Sequence, residues 1–164
     1  MAEILCFSRN RNTIVEQIDE TTMRASCSLR DTLTDARVEI VVTLPDLEIT
    51  DAKGELRRSA GEVDPGAVQS LKKVVGVRIG PGMRKIIKGL LGKSEIEKQL
   101  GFMLEECCDG VILTFTKDVL KNAPRGGSKE REFFENMVRN NPRMYNSCAA
   151  LAPGSPLVDG IEPH

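Results

Sequence analysis

The chain changes its hydrophobic period once. Through the first third, Met23, Ala25, Cys27 and Leu29 are interleaved with Arg24, Ser26, Ser28 and Arg30. After the turn residues Asp31 to Asp35, Val38, Ile40, Val42 and Leu44 repeat the alternation. A period of two sends successive side chains to opposite faces, so each run predicts a strand with one buried and one wet face. Pro45-Asp46 then punctuates. In LEITDAKGELRR, Leu47 and Ile49 are in phase but Asp51 and Ala52 are not, which points to a bulge marked by Gly54. Two earlier runs, Glu3 to Ser8 and Thr13 to Ile18, bring the total to about five short strands. Short connections imply sequential antiparallel pairing, hence a meander.

From Asp64 onward the period is helical. Asp64-Pro65 is an N-cap and first-turn pair, and Val68, Leu71, Val74 and Val75 form one face of a short helix ending near Gly76. The glycine-rich turn GVRIGPG leads into a second helix, Gly82 to Leu91, with Met83, Ile86, Ile87 and Leu90 on one side. The dominant element is Ser94 to Lys121, where Ile96, Leu100, Leu104, Cys107 or Cys108, Val111, Phe115 and Val119 recur at three- and four-residue steps. Its opposite face carries Glu95, Lys98, Glu105, Glu106, Asp109 and Lys117. Ser94 followed by Glu97 is a capping-box pattern. At about 1.5 Å per residue this helix would be roughly 40 Å long, enough for other elements to pack on. Ser128 caps a further helix with Phe133, Phe134, Met137 and Val138 on its apolar face, and Asn141-Pro142 ends it. Strands first and helices after predict an α+β fold, with the helices on one face of an antiparallel sheet. Residues 1–151 read as a single domain, and 152–164, APGSPLVDGIEPH, as a flexible tail.

Composition narrows the function classes mainly by exclusion. With 23 Lys+Arg against 24 Asp+Glu, the chain has no net field to draw nucleic acid or an anionic membrane. No apolar run approaches the ~20 residues of a membrane span, and MAEILCFSRNRN lacks the design of a signal peptide. A cytoplasmic setting is the expectation. The five cysteines, Cys6, Cys27, Cys107, Cys108 and Cys148, have neither disulfide-scaffold nor zinc-knuckle spacing, and read as free thiols that pack like small hydrophobes. The one histidine is His164, the last residue, which disfavours a Ser-His-Asp triad, a Cys-His dyad or a His-rich metal site. Without Trp and with Tyr145 alone, stacking platforms are scarce.

One stretch stands out chemically. From Lys72 to Lys93 the chain carries Lys72, Lys73, Arg78, Arg84, Lys85, Lys88 and Lys93 without an acidic residue. In its middle, Arg78, Gly80, Gly82, Met83, Arg84 and Lys85 put flexible backbone directly before a helix start. There the amides of Gly82 and Met83 could hold a phosphate or carboxylate between two arginine clamps. The Gly-Lys-Ser/Thr ending of a phosphate loop is missing. A tight inter-helix turn with lysines on a solvated face explains the same residues. Nucleic acid is disfavoured, because no aromatic residue lies between Phe7 and Phe102.

Four blocks, ILCFSR, LPDLEI at Leu44 to Ile49, VGVRIGPG at Val75 to Gly82 and LEECCD at Leu104 to Asp109, resemble the uncharacterised bacterial domain-of-unknown-function family 2889 over roughly residues 4 to 110. The resemblance implies no activity. It does imply a departure: the family pattern has Cys-Pro where this chain has Asp64-Pro65, and Cys-x-His where it has Glu97-Lys98-Gln99. Either a metal or redox site is lost, leaving no metal, or Asp64, Glu97 and Gln99 form an oxygen-rich set suited to magnesium, calcium or manganese.

Three function classes are compatible with these residues. The first is a binding or accessory protein holding an anionic small molecule at the Arg78 to Lys85 turn. The second is an enzyme using Asp64 or Glu97 as a base on a carboxylated or coenzyme A-linked substrate. The third is a structural protein whose Ser128 to Asn141 helix packs on a second copy as a homodimer. No cofactor is specified by the sequence.

Overall fold

The computed structural model describes residues 5–59, 65–140, 142–146 and 148–161. The fold is α+β, with an antiparallel meander first and helices after. Four strands, β1 (Arg9–Asp19), β2 (Thr22–Asp31), β3 (Asp35–Thr43) and β4 (Glu48–Arg58), pair in sequence order. The meander therefore has four described strands where the alternation suggested about five: Thr13 to Ile18 is the middle of β1, and residues 5–8 of the Glu3 to Ser8 run are not strand. The helices are α1 (Pro65–Gln69), continued by a 3₁₀ turn at Ser70–Val74, then α2 (Met83–Leu90), α3 (Glu95–Asn122) and α4 (Gly127–Asn140).

The chain divides into two compact units, one of residues 1–79 and 83–114, the other of 80–82 and 115–164. In the first, the alternation does what period two requires. Met23, Ala25, Cys27 and Leu29 of β2 and Ala36, Val38, Ile40 and Val42 of β3 are all buried on one face. Ile49 and Ala52 of β4 join them, although an alternation starting at Ile49 would send Ala52 outward. The register resolves this. Ile49 lies opposite Val42 and Asp51 opposite Val41, so Thr50 is the extra residue and Ala52 returns to the core opposite Ile40. The bulge is thus at Thr50, not at Gly54. Gly54 is glycine because a Cβ there would come within 2.6 Å of Leu71 Cδ1 and 3.2 Å of the Arg37 carbonyl.

The long helix α3 packs on this sheet. Its capping signal is realised: Ser94 Oγ accepts the Glu97 amide at 3.1 Å, and Glu97 Oε2 accepts the Lys93 amide at 2.7 Å. Leu100, Met103, Leu104, Cys107, Cys108 and Val111 are buried, a face wider than one stripe. The reason is that α3 is covered twice. Cys107 Sγ lies 3.9 Å from the Val38 carbonyl of the sheet, while Gly101 lies where a Cβ would be 3.4 Å from Leu91 and 3.8 Å from Ile87 of the α2 segment. Cys108, two turns on from Gly101, shares the latter face.

In the second unit, α4 buries Val138 with Leu151, Val158 and Ile161, and Met137, Met144 and Tyr145 pack around them. Segment 152–161, expected to be tail, supplies two of those four buried residues. Phe133 and Phe134 are half-buried and meet edge to face with ring centroids 5.4 Å apart.

Candidate functional site

The basic turn has two neighbours that its sequence does not announce. The strand-like segment before it pairs with the start of β4: the Ile49 amide donates to the Val77 carbonyl at 2.9 Å, the Gly76 amide to Ile49 at 2.8 Å, and the Ile79 amide to Leu47 at 2.9 Å. Two of the four sequence blocks, LPDLEI and VGVRIGPG, therefore meet as an antiparallel pair, with Arg78 bridged to Glu48. Gly76 at φ 88° and Gly82 at φ 83° reverse the chain on either side, a backbone region that glycine enters without steric cost.

The charged side chains are engaged by the chain itself. Arg78 Nε stands 3.8 Å from Glu48. Arg84 donates to Asp109 of α3 at 2.6 Å and lies 3.9 Å from Glu105. Its hydrogen bond to Asp109 holds the guanidinium pKa above its ordinary value. Glu105, placed by sequence on the wet face of α3, is buried. Met83 is buried in the core, so its side chain anchors the α2 start. Gly80 and Gly82 have nothing within 4 Å of where a Cβ would stand. Lys85 and Lys88 are exposed, and among the described residues no carboxylate comes within ion-pair distance of either. Lys72 and Lys73 pair with Asp51 and Glu97.

Of the oxygen-ligand set, Asp64 lies outside the described residues. Glu97 caps α3, and Gln99 Nε2 donates to Thr34 Oγ1 at 3.3 Å. Among the described residues no three His, Cys, Asp or Glu side chains converge in a metal-binding arrangement.

Three thiols are buried. Desolvation raises the pKa of Cys27 and Cys107, and that of Cys108 to about 12, so each stays a protonated, unreactive thiol at neutral pH. Asp31 is a polar anchor that the sequence pattern alone does not reveal. Desolvation pushes its pKa up, but the Arg9 hydrogen bond at 2.8 Å and the amides of Leu33 and Thr34 outweigh it, and the net shift is downward. Only an Asp at the first residue of a strand-to-strand turn hints at this role.

Hollows of about 160 and 370 Å³ lie on the outward sheet face, lined chiefly by Arg37, Glu39, Glu55 and Arg57. The charges there neutralise one another: Glu39 lies within 2.9 Å of Lys53, 3.4 Å of Arg37 and 3.5 Å of Arg24. No described helix is long and apolar enough to cross a membrane. Comparison with protein-family models, with curated proteins and with solved structures finds no match.

Proposed function

We propose that this chain is a binding or accessory protein of the cytoplasm, akin to the bacterial family its four blocks resemble, and that it takes a phosphate- or carboxylate-bearing group at the Arg78 to Lys85 turn. The observation that supports this reading most directly is the charge state of the turn. Two exposed arginines flank it, and Lys85, next to Arg84, has no acidic partner among the described residues. An incoming anion must compete with Glu48 and Asp109. Exposed ion pairs are worth roughly 0–1 kcal/mol, whereas a bidentate guanidinium-phosphate contact is among the stronger polar interactions. A phosphate, with more acceptor oxygens and more charge than a carboxylate, is the better competitor for these arginines.

The acid-base alternative needs a carboxylate whose pKa is raised beside the turn. Among the described residues, the carboxylates with displaced values, Asp19, Asp31 and Asp51, are all displaced downward, and Glu97 is committed to its cap, while Asp64 lies outside the described residues. Thermal unfolding with inorganic phosphate, acetate, coenzyme A esters and divalent metals tests the proposal. A ligand at 100 times its dissociation constant adds about 2.7 kcal/mol, and Arg84→Ala or Lys85→Ala should abolish the shift. A panel without any shift, or a shift unchanged in both variants, removes the turn as the binding site.

A further inference from the structure

We infer, on the reading of the Arg78 to Lys85 turn as an anion site, that the chain itself holds this site closed. Glu105 and Asp109 of α3 occupy the edge of Arg84 that an anion would grip, and so set the affinity of the turn.

A guanidinium binds an oxyanion best through two parallel N–H groups on one edge of its plane. In arginine the side-on edge carries Nε and Nη2. At Arg84, Nη2 donates to Asp109 Oδ2 at 2.6 Å, and Nε lies 3.9 Å from Glu105 Oε2. The edge suited to a phosphate is thus already turned to two carboxylates. Arg78 repeats the arrangement more loosely, with Nε 3.8 Å from Glu48 Oε2. Among the described residues, Arg78, Arg84 and Lys85 are matched by Glu48, Glu105 and Asp109, so the resting turn has no net charge with which to attract an anion.

The two closures differ in strength. The Glu48 side chain is 40% exposed, and water takes it up when Arg78 turns away. Glu105 is buried, and among the described residues Arg84 is its only ion-pair partner. An anion that captures Arg84 leaves this buried carboxylate without a counter-charge, a costly state, and itself comes to lie beside two negative groups. Glu105 and Asp109 are one turn apart on α3, so both act on the same guanidinium at once. Their grip does not depend on how α2 is seated, because Met83 and Ile87 are buried in the core on either side of Arg84. Opening is a movement of the side chain alone, and the Arg84 side chain is 60% exposed, which leaves it room to swing outward.

The same contacts would also tie α2 to α3, and binding separates a closure from a tie. Inorganic phosphate and acetate are titrated calorimetrically, at low ionic strength, into the full chain as wild type, Asp109→Asn, Glu105→Gln, the double variant, and the double variant with Arg84→Ala. The amides keep the shape of the side chains and remove the charge. Phosphate affinity should rise in each single variant and by about tenfold in the double variant, each ion pair accounting for a few-fold. The gain should be smaller for acetate, whose single charge feels less of the repulsion removed, and should shrink in high salt. Asp109→Glu, which keeps the charge, should bind as the wild type does. Arg84→Ala should erase the gain of the double variant. Equal phosphate affinity in the wild type and the double variant would leave the turn as a site and reduce the two carboxylates to a structural tie, which overturns the closure. A gain that survives Arg84→Ala would overturn it as well. Absence of phosphate binding in every protein, the double variant included, would instead remove the turn itself as an anion site, and the closure with it.

Discussion

The sheet has two edges that begin with the same liability, a row of backbone donors and acceptors on one side, and they are treated in opposite ways. At β4 the chain closes its own edge. Val77 and Ile79 pair with Leu47 and Ile49, and beyond them Leu71 is driven so close to Gly54 that no side chain fits between. At β1, among the described residues, nothing of the kind occurs: α3 supports the strand from below and no other backbone hydrogen bond reaches its outer edge. The difference lies in the segments that adjoin the two strands. After β4 come short helices that must bury Ala67, Leu71 and Val74 somewhere, and the near edge of the sheet is the place available. Residues 5–8, which precede β1, are exposed and form no strand. One edge is completed within the chain, and the other has no backbone partner among the described residues.

The largest effect that separates the two edges should come from Leu71→Ala. Leu71 is fully buried against β4, and truncating such a residue costs about 2–5 kcal/mol. Val15→Ala, the nearest equivalent on β1, removes a half-buried side chain and should cost no more than about 1 kcal/mol, since only part of its apolar area leaves water. Denaturant unfolding of both variants measures the contrast. Equal losses would mean that β1 is as tightly packed as β4. Next in size is Gly54→Val, which forces Leu71 or the Arg37 carbonyl to move. Overpacking of this kind costs about 1–3 kcal/mol, and the accompanying exposure of β4 should appear as faster amide exchange at Ile49, Gly76 and Ile79.

Asp31→Asn probes the β2–β3 turn, where the open edge is tied in through Arg9. The carboxylate's pKa is lower in the folded chain than its ordinary value. Its contribution is therefore complete above about pH 4, where the unfolded chain is also ionised. It declines as pH falls, because the unfolded state takes up the proton first, and is gone below the folded pKa. The variant should melt below the wild type at pH 7, and the gap should narrow on acidification below about pH 4. A gap that widens there would reverse the assigned direction of the shift.

Much of this architecture is legible in the residues, and the unreadable parts share one cause. β2 and β3 alternate cleanly because each has one face in the core. β1 does not, since neither of its faces is buried, and RNRNTIVEQID shows a strand only where Thr13 and Val15 touch α3. The bulge is misplaced by the sequence pattern because Asp51 and Ala52 reveal that the phase slips but not which residue absorbs it; only pairing with β3 singles out Thr50. On α3 the spacing locates one stripe, while burial of both cysteines and Glu105 requires knowing that α2 lies along a second side. The basic turn is similar. Its cations are plain in sequence, but Glu48 and Asp109, which engage them, are distant in the chain and become neighbours only through the fold.

The smallest predicted effect decides what closes the β4 edge. Arg78 both contributes the backbone bridge to Glu48 and places its guanidinium 3.8 Å from that carboxylate. Arg78→Ala removes the ion pair and keeps the bridge. Both charged groups are well exposed, so the pair is screened by solvent and salt and should account for less than about 1 kcal/mol. The backbone bonds of Gly76 and Ile79 to Ile49 and Leu47 are unaffected by the substitution and flank buried residues, where an unmade hydrogen bond is costly. Arg78→Ala should therefore lower the melting temperature by no more than a few degrees, with a difference that shrinks further in high salt. A loss above about 2 kcal/mol that persists in high salt would make the side chain itself, and not the backbone pairing, the element that completes this edge.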